Sequence, residues 1–277
     1  MTSLGFIGLG QIGAPMASHL AGWPGGLTVC DLRPEATAPF AARGAHVAAS
    51  PADVAERADV ISIMVRDDAE VREVVAAVLG AAGDGTVVAI HSTIAPATAV
   101  DLADSAHGSE VAVVDAPVSG GFIGATNGTL AVMVGGVHDA VERCREPFGL
   151  WADLFVHAGP VGSATLFKLA RNLLTFAGYT AALEAQRLAD AAGLDLRAFT
   201  EVVTHSDGVT GGPGAILFRD TITALAADDA LRPLVAHTAE LGEKDLRLVL
   251  ELGDALGVDL PFARLALDRF ASSLGLR

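Results

Sequence analysis

One stretch limits the possible folds of this chain more than any other. Residues 6–20 read FIGLGQIGAPMASHL, with Gly8, Gly10 and Gly13 spaced as G-x-G-x-x-G around Gln11 and Ile12. A short apolar run, Leu4–Ile7, precedes the glycines, and a helix-like segment, residues 14–21, follows them. A dinucleotide cradle requires that order. The first glycine permits a tight turn, the second lets backbone approach a pyrophosphate, and the third lets helix and strand pack closely. The helix N-terminus then offers N–H donors and partial positive charge to the phosphates. Glycines alone describe an ordinary turn; the strand before them and the helix after them favour the dinucleotide reading.

Asp31 lies 18 residues after Gly13, at the end of a second strand candidate. An acidic side chain there can hydrogen-bond the adenosine ribose and repel a 2′-phosphate. It can equally cap the helix that starts at Pro34. Arg33, two residues on, can instead attract a 2′-phosphate. The expectation is NAD, with NADP admitted.

The first 160 residues alternate short apolar runs with helix-like stretches. The strand candidates are Leu4–Ile7, Leu27–Cys30 and residues 45–48, 60–64, 86–90, 111–114, 130–134 and 154–156. Several are apolar throughout, as strands covered on both faces of a parallel sheet must be. Helix candidates between them include residues 14–21, Asp68–Leu79 and residues 96–106. After Gly159 the texture changes: apolar positions recur at helical spacing from residue 161 to about 192, and no convincing strand follows. Breaks are expected near Gly193, at residues 205–214, at 232–233 and at 256–261. The fold class expected is an α/β Rossmann-type domain, residues 1–160, followed by an all-α C-terminal domain, residues 161–277, joined by a long helix.

With a net charge of -15 the surface repels phosphate backbones and anionic lipid, so neither nucleic acid nor membrane is an expected partner. No secretory signal or membrane-spanning run is read. Cys30 and Cys144 fit no metal or redox spacing and read as buried free thiols in a reducing cytoplasm.

Of the 18 cationic residues 16 are Arg and two are Lys, Lys168 and Lys244. Lys168 falls within an apolar run, ATLFKLARNLLTFAGY, residues 164–179, with Asn172 one helical turn away at i+4. Desolvation there disfavours the ammonium and lowers its pKa, which suits a general acid or base near neutral pH. Arg cannot replace it in that role, because guanidinium stays protonated. The plainer reading is a surface lysine whose stem covers apolar neighbours. A small-residue loop, containing Ser119, Gly120 and Gly121, follows a strand. It can hold a carboxylate on its N–H groups, or simply turn the chain.

Five segments in order, GFIGLGQIGAPMASHL, HSTIAPAT, DAPVSGGFIGATNGTLAVMVGG, GPVGSATLFKLARN and EKDLRLVLELG, resemble the β-hydroxyacid dehydrogenase family, which includes 3-hydroxyisobutyrate dehydrogenase and relatives of 6-phosphogluconate dehydrogenase. The resemblance spans the chain. It implies an NAD(P)-dependent oxidoreductase that interconverts a small β-hydroxy acid and its semialdehyde or keto form. By the same resemblance Lys168 is the catalytic lysine, Asn172 helps bind substrate, and Ser119, Gly120 and Gly121 form the substrate loop. Met64, Val65, Thr93 and Lys244 contact the cofactor, and the helical domain completes the site and assembles a homodimer or homotetramer. The chain departs from the family at Arg171, where a second asparagine is common, at Val65-Arg66, at His237, and in residues 205–214. Two rivals share the fold. Imine reductases usually carry another residue at the lysine position. Non-catalytic cofactor-binding modules lack the lysine, and some carry basic nucleic-acid-binding segments. Lys168 weighs against both, and the acidic charge against the second.

Overall fold

The computed structural model describes residues 1–217, 219 and 221–276. The chain forms two compact units, Met1–Arg171 and Asn172–Arg277.

The first unit starts with β1 (Leu4–Ile7), α1 (Gly13–His19), β2 (Leu27–Cys30), α2 (Pro34–Ala41), β3 (His46–Val47), α3 (Pro51–Ala55) and β4 (Val60–Ile63). It continues with α4 (Asp68–Leu79), β5 (Val87–Ile90), α5 (Pro96–Ser105), β6 (Ala112–Asp115), β7 (Val118–Ser119), α6 (Gly121–Asn127), β8 (Leu130–Gly135), α7 (His138–Phe148) and β9 (Ala152–Gly159). The strands form one sheet in the order β3-β2-β1-β4-β5-β6-β8-β7, with β9 paired to β8. Strands β1 to β6 run parallel; β8 is antiparallel to β6 and β7 and parallel to β9. Every residue of β1, β2, β4 and β5 is buried, which explains why their sequences are apolar but for Thr28 and Ser62. The strand order reverses between β1 and β4, where doubly wound sheets open a crevice at their C-terminal ends.

The sheet separates two cores. One gathers Phe6, Met16, Leu20, Leu130, Phe148 and Trp151; the other gathers Ile61, Ile63, Val71, Val75, Val78 and Ile90. In the first, the fully buried His91 packs edge-on against Phe148 and Trp151, at ring centroid distances of 5.0 and 5.4 Å. His91 Nδ1 lies 2.7 Å from the Ala116 carbonyl, which can only accept, so Nδ1 carries the proton and Nε2 accepts from Ser62 Oγ at 3.0 Å. Burial holds its pKa at about 4, against a small opposing effect of the Ala116 bond, so the ring is neutral. Cys30 and Cys144 are buried free thiols.

Helix α8 (Ser163–Ala191) leads out of the first unit, and α9 (Leu196–Thr210), a 3₁₀ turn (Gly212–Ile216), α10 (Arg232–Leu256) and α11 (Pro261–Ser273) follow. Phe270 packs where a Cβ on Gly242 would come within 2.2 Å of its ring, so α10 and α11 meet at that glycine. The buried Glu184 carboxylate of α8 accepts the N–H groups of Phe262 and Ala263, at 3.1 and 2.9 Å, in the first turn of α11. No helix among the described residues is long and apolar enough to cross a membrane.

Two expected loops are regular structure. Residues 205–210, read as part of a break, continue α9, and the chain turns only at Gly211, whose φ of 87° ends the helix in the left-handed region. A single interior glycine, Gly208, costs the helix about 1 kcal/mol, which α9 absorbs. The small-residue segment after β6 holds a two-residue strand, β7, which bonds β8 antiparallel at Ser119–Ala131, and then α6. Both are shorter than a periodicity argument can detect.

Candidate cofactor site and active site

Gly8, Gly10, Gln11, Ile12, Gly13, Asp31, Arg33, Met64 and Val65 all line one cleft of about 810 Å3 at the C-terminal ends of β1, β2 and β4. The glycines show what the cleft is shaped for. A Cβ on Gly8, whose φ is 93°, would fall 2.2 Å from the Met64 carbonyl oxygen, and one on Gly13 would fall 2.0 Å from that of Gly8. These two positions need glycine for packing alone. A Cβ on Gly10 would meet no protein atom within 4 Å. Its open side faces the approach a pyrophosphate needs at the N-terminus of α1, so the residues present fit a dinucleotide.

Asp31 is bound on all sides. Oδ2 accepts the Leu9 N–H at 2.7 Å, Oδ1 accepts the Arg33 N–H at 2.9 Å, and the Arg33 guanidinium donates to both oxygens at 3.0 and 3.2 Å. Burial alone would raise its pKa; the hydrogen bonds from Arg33 and Leu9 outweigh that and hold the carboxyl below its usual range. Asp31 therefore braces the glycine loop and fastens the residue that precedes α2. A carboxylate offers about four acceptor directions. All are engaged, so a ribose diol must displace the arginine to reach it.

Sequence reading missed several residues of the cleft. Arg66, just before α4, and Glu70, Glu73 and Val74, on it, line the cleft, and Arg66 pairs with Glu70 at 2.6 Å. The signal was present in part: Asp67 caps α4 by accepting the Glu70 N–H at 3.0 Å. Ser92, also missed, is buried and clamps the loop after β4, accepting the Val65 N–H at 2.9 Å and donating to the Val65 carbonyl at 2.8 Å. Its neighbour Thr93 is exposed and lies outside the lining of this cleft.

Ser119 ends β7, and Gly120 and Gly121 follow with φ of 131° and 62°. A Cβ on Gly120 would fall 2.9 Å from Leu130 Cδ2. Both glycines are exposed. Lys168 is half-buried on α8, and burial lowers its pKa, with the Arg171 charge adding to the effect. Helix α8 runs unbroken through Lys168 and Asn172. In the second unit Asn172 is half-buried, while Lys244, on α10, is exposed and pairs with Asp245 at 3.1 Å.

The comparisons with known proteins agree with this geometry. Residues 3–159 match the model of the NAD binding domain of 6-phosphogluconate dehydrogenase. Residues 162–274 match that of the NAD-binding domain of NADP-dependent 3-hydroxyisobutyrate dehydrogenase. The NAD-dependent L-serine dehydrogenase of Pseudomonas aeruginosa is 34% identical over 276 residues, covering 98% of this chain and 91% of that protein. A crystal structure from Mycobacterium avium 104 superposes with a TM-score of 0.96 at 53% identity, covering 100% of this chain and 99% of that one. The 3-hydroxyisobutyrate dehydrogenase of Mycobacterium tuberculosis, solved with L-serine, superposes with a TM-score of 0.69 at 31% identity, covering 99% and 95%. The chain is thus an oxidoreductase of the β-hydroxyacid dehydrogenase family, with a cleft for NAD or NADP.

Proposed function

We propose that the protein oxidises a small β-hydroxy acid of the size of L-serine or 3-hydroxyisobutyrate, or reduces the matching semialdehyde, with Lys168 as general acid and base. The observation that carries this is the lysine itself. It is half-buried in a chain that otherwise uses Arg almost throughout, and its pKa is lowered. Neutral Nζ takes the hydroxyl proton as the alcohol is oxidised; in reduction the ammonium returns it. Bound NAD would supply the acceptor for the hydride of the carbinol carbon. The residues lining the cleft from Gly8 to Val65 hold that cofactor, with Thr93 and Lys244 as further contacts. The N–H groups around Ser119, Gly120 and Gly121 anchor the substrate carboxylate, and Asn172, one turn beyond Lys168, orients the reacting alcohol. Fixing both partners in this way supplies much of the rate.

NAD is the preferred cofactor in this reading, because Asp31 disfavours a 2′-phosphate. Residues 1–160 hold the cofactor, and residues 161–277 complete the substrate site and pair with a second copy as a homodimer or homotetramer. Support for the pairing comes from the exposed apolar residues Leu173, Phe176, Tyr179 and Leu183 of α8. Two buried free thiols suit a reducing cytoplasm. The test is turnover of a panel of three- to six-carbon hydroxy acids, L-serine and 3-hydroxyisobutyrate among them, with each cofactor. Activity confined to hydroxy acids supports the reading; tight NAD binding without turnover of any of them overturns it.

A further inference from the structure

Asp115 closes β6 and is almost entirely buried. A charged carboxylate is costly in such a place unless every oxygen is matched. Here both are, and the donors come from far along the chain. Oδ1 accepts the Gly162 N–H at 2.8 Å; Oδ2 accepts the Thr165 N–H at 2.7 Å and the Thr165 hydroxyl at 2.8 Å. These donors stand 47 and 50 positions later, at the opening of α8. A helix begins with four N–H groups that lack partners inside it, and the residue just before the helix ordinarily supplies an acceptor. For α8 a strand end supplies one instead. The space is reserved for it as well: a Cβ on Gly135, the residue opposite Asp115 in the sheet, would fall 2.3 Å from Oδ1.

The two ends of this clamp matter for chemistry. Thr165 precedes Lys168 by three positions, hence lies on the same side of α8, one turn closer to the helix start. Asp115 precedes Ser119 by four, at the root of the segment that carries Ser119, Gly120 and Gly121. We infer that Asp115 is a positioning residue for Lys168: by fixing the first turn of α8 to the end of β6, it sets how far and in which direction the Lys168 amine projects relative to the 119–121 turn. This rests on the reading of Lys168 as the proton-transfer group. Asp115 exchanges no proton with substrate. It holds the helix in register, and a misplacement of about 1 Å can cost roughly a hundredfold in rate.

The test uses the full-length protein with NAD and L-serine or 3-hydroxyisobutyrate. Asp115→Asn keeps the shape but turns one acceptor into an NH2 group facing N–H donors. The expected result is a kcat lower by roughly a hundredfold, with NAD affinity unchanged. The acylation rate of Lys168 by an amine-selective reagent should also change, measured by mass spectrometry against Lys244 as the internal reference. Thr165→Val, which removes one of the three bonds, should give a smaller loss of kcat, and Thr165→Ser should recover it. A folded Asp115→Asn protein with wild-type kcat and a wild-type Lys168-to-Lys244 labelling ratio overturns the proposal. If that variant does not fold, the two Thr165 variants decide: equal kcat and labelling in Val and Ser overturn it. Retained turnover in Lys168→Arg would refute the reading of the lysine alone, since the labelling ratio still reports whether Asp115 places the amine.

Discussion

The two units hold themselves together by different means. In Met1–Arg171 the sheet is covered on both faces, and large side chains such as Phe6, Ile61, Phe148 and Trp151 are fully buried. In Asn172–Arg277 the buried apolar side chains among the described residues are Ala189, Leu225, Val235, Ala239, Leu260 and Ala271, half of them alanines. Several larger apolar residues of its helices, Leu173, Phe176, Leu183 and Leu248, are 56% exposed or more. A monomer rarely leaves so much apolar surface uncovered. The first unit closes its own core, whereas the second has the residues for a core without the enclosure. The cofactor cleft belongs to the self-contained unit, and the apolar surface proposed above for pairing belongs to the open one.

The largest expected effect separates holding the cofactor from reacting with it. Lys168→Arg should lower kcat by roughly 10² to 10⁴, the usual contribution of general acid–base catalysis, while NAD affinity stays near wild type. More than about a tenth of wild-type kcat in a folded Lys168→Arg protein would exceed what loss of that catalysis permits, and the mechanism would fail. Next comes the open surface. Leu173→Asp with Phe176→Asp should shift the protein towards monomer in sedimentation, because two covered apolar side chains contribute about 3 to 5 kcal/mol to association. A wild-type protein that is monomeric at all concentrations would remove the contrast between the units.

The third test addresses the closed core. The folded-state pKa of His91, about 4, lies below the unfolded value, so the unfolded chain binds the proton first as pH falls. Stability from this residue is fully present above pH 6.5 and is lost between 6.5 and 4, by up to about 3 kcal/mol. Urea midpoints by circular dichroism should fall across that window, and His91→Asn should flatten the fall. An unchanged slope would mean that another group titrates there. The smallest effect concerns Arg33. Removing the guanidinium that covers Asp31 should move the ratio of kcat/KM for NAD over NADP upward by about tenfold, or 1.4 kcal/mol. A shift the other way would mean that Arg33 serves the NAD ribose.

Sequence alone reached the elements whose causes are local. The glycine spacing located β1, the cradle and α1, and apolar periodicity located α4 and the long α8. Nine residues expected at the cofactor do line one cleft. What stayed hidden depends on contacts between distant segments. Asp31 reads as a ribose ligand or a cap, yet nothing local says that Arg33 and Leu9 occupy all its acceptor directions. Asp115 and Ser92 are ordinary letters until the sheet brings them to Gly162, Thr165 and Val65. The two-residue β7 exists only because β8 pairs with it, and α9 continues past Ser206-Asp207-Gly208 although those residues favour turns.

The aromatic cluster around His91 also gives this protein a built-in optical division. Trp23 and Trp151 both belong to the first unit, and the one tyrosine, Tyr179, belongs to the second. Trp151 is sealed against Phe148 at 4.9 Å, and its indole N–H meets no acceptor among the described residues. Its emission should be blue-shifted, as for an indole kept from water, and should redden only when the sheet opens. Excitation at about 295 nm, beyond tyrosine absorption, then reports the first unit alone, since it holds both tryptophans. The opening of the first unit can thus be followed through an unfolding experiment without adding any label to the chain.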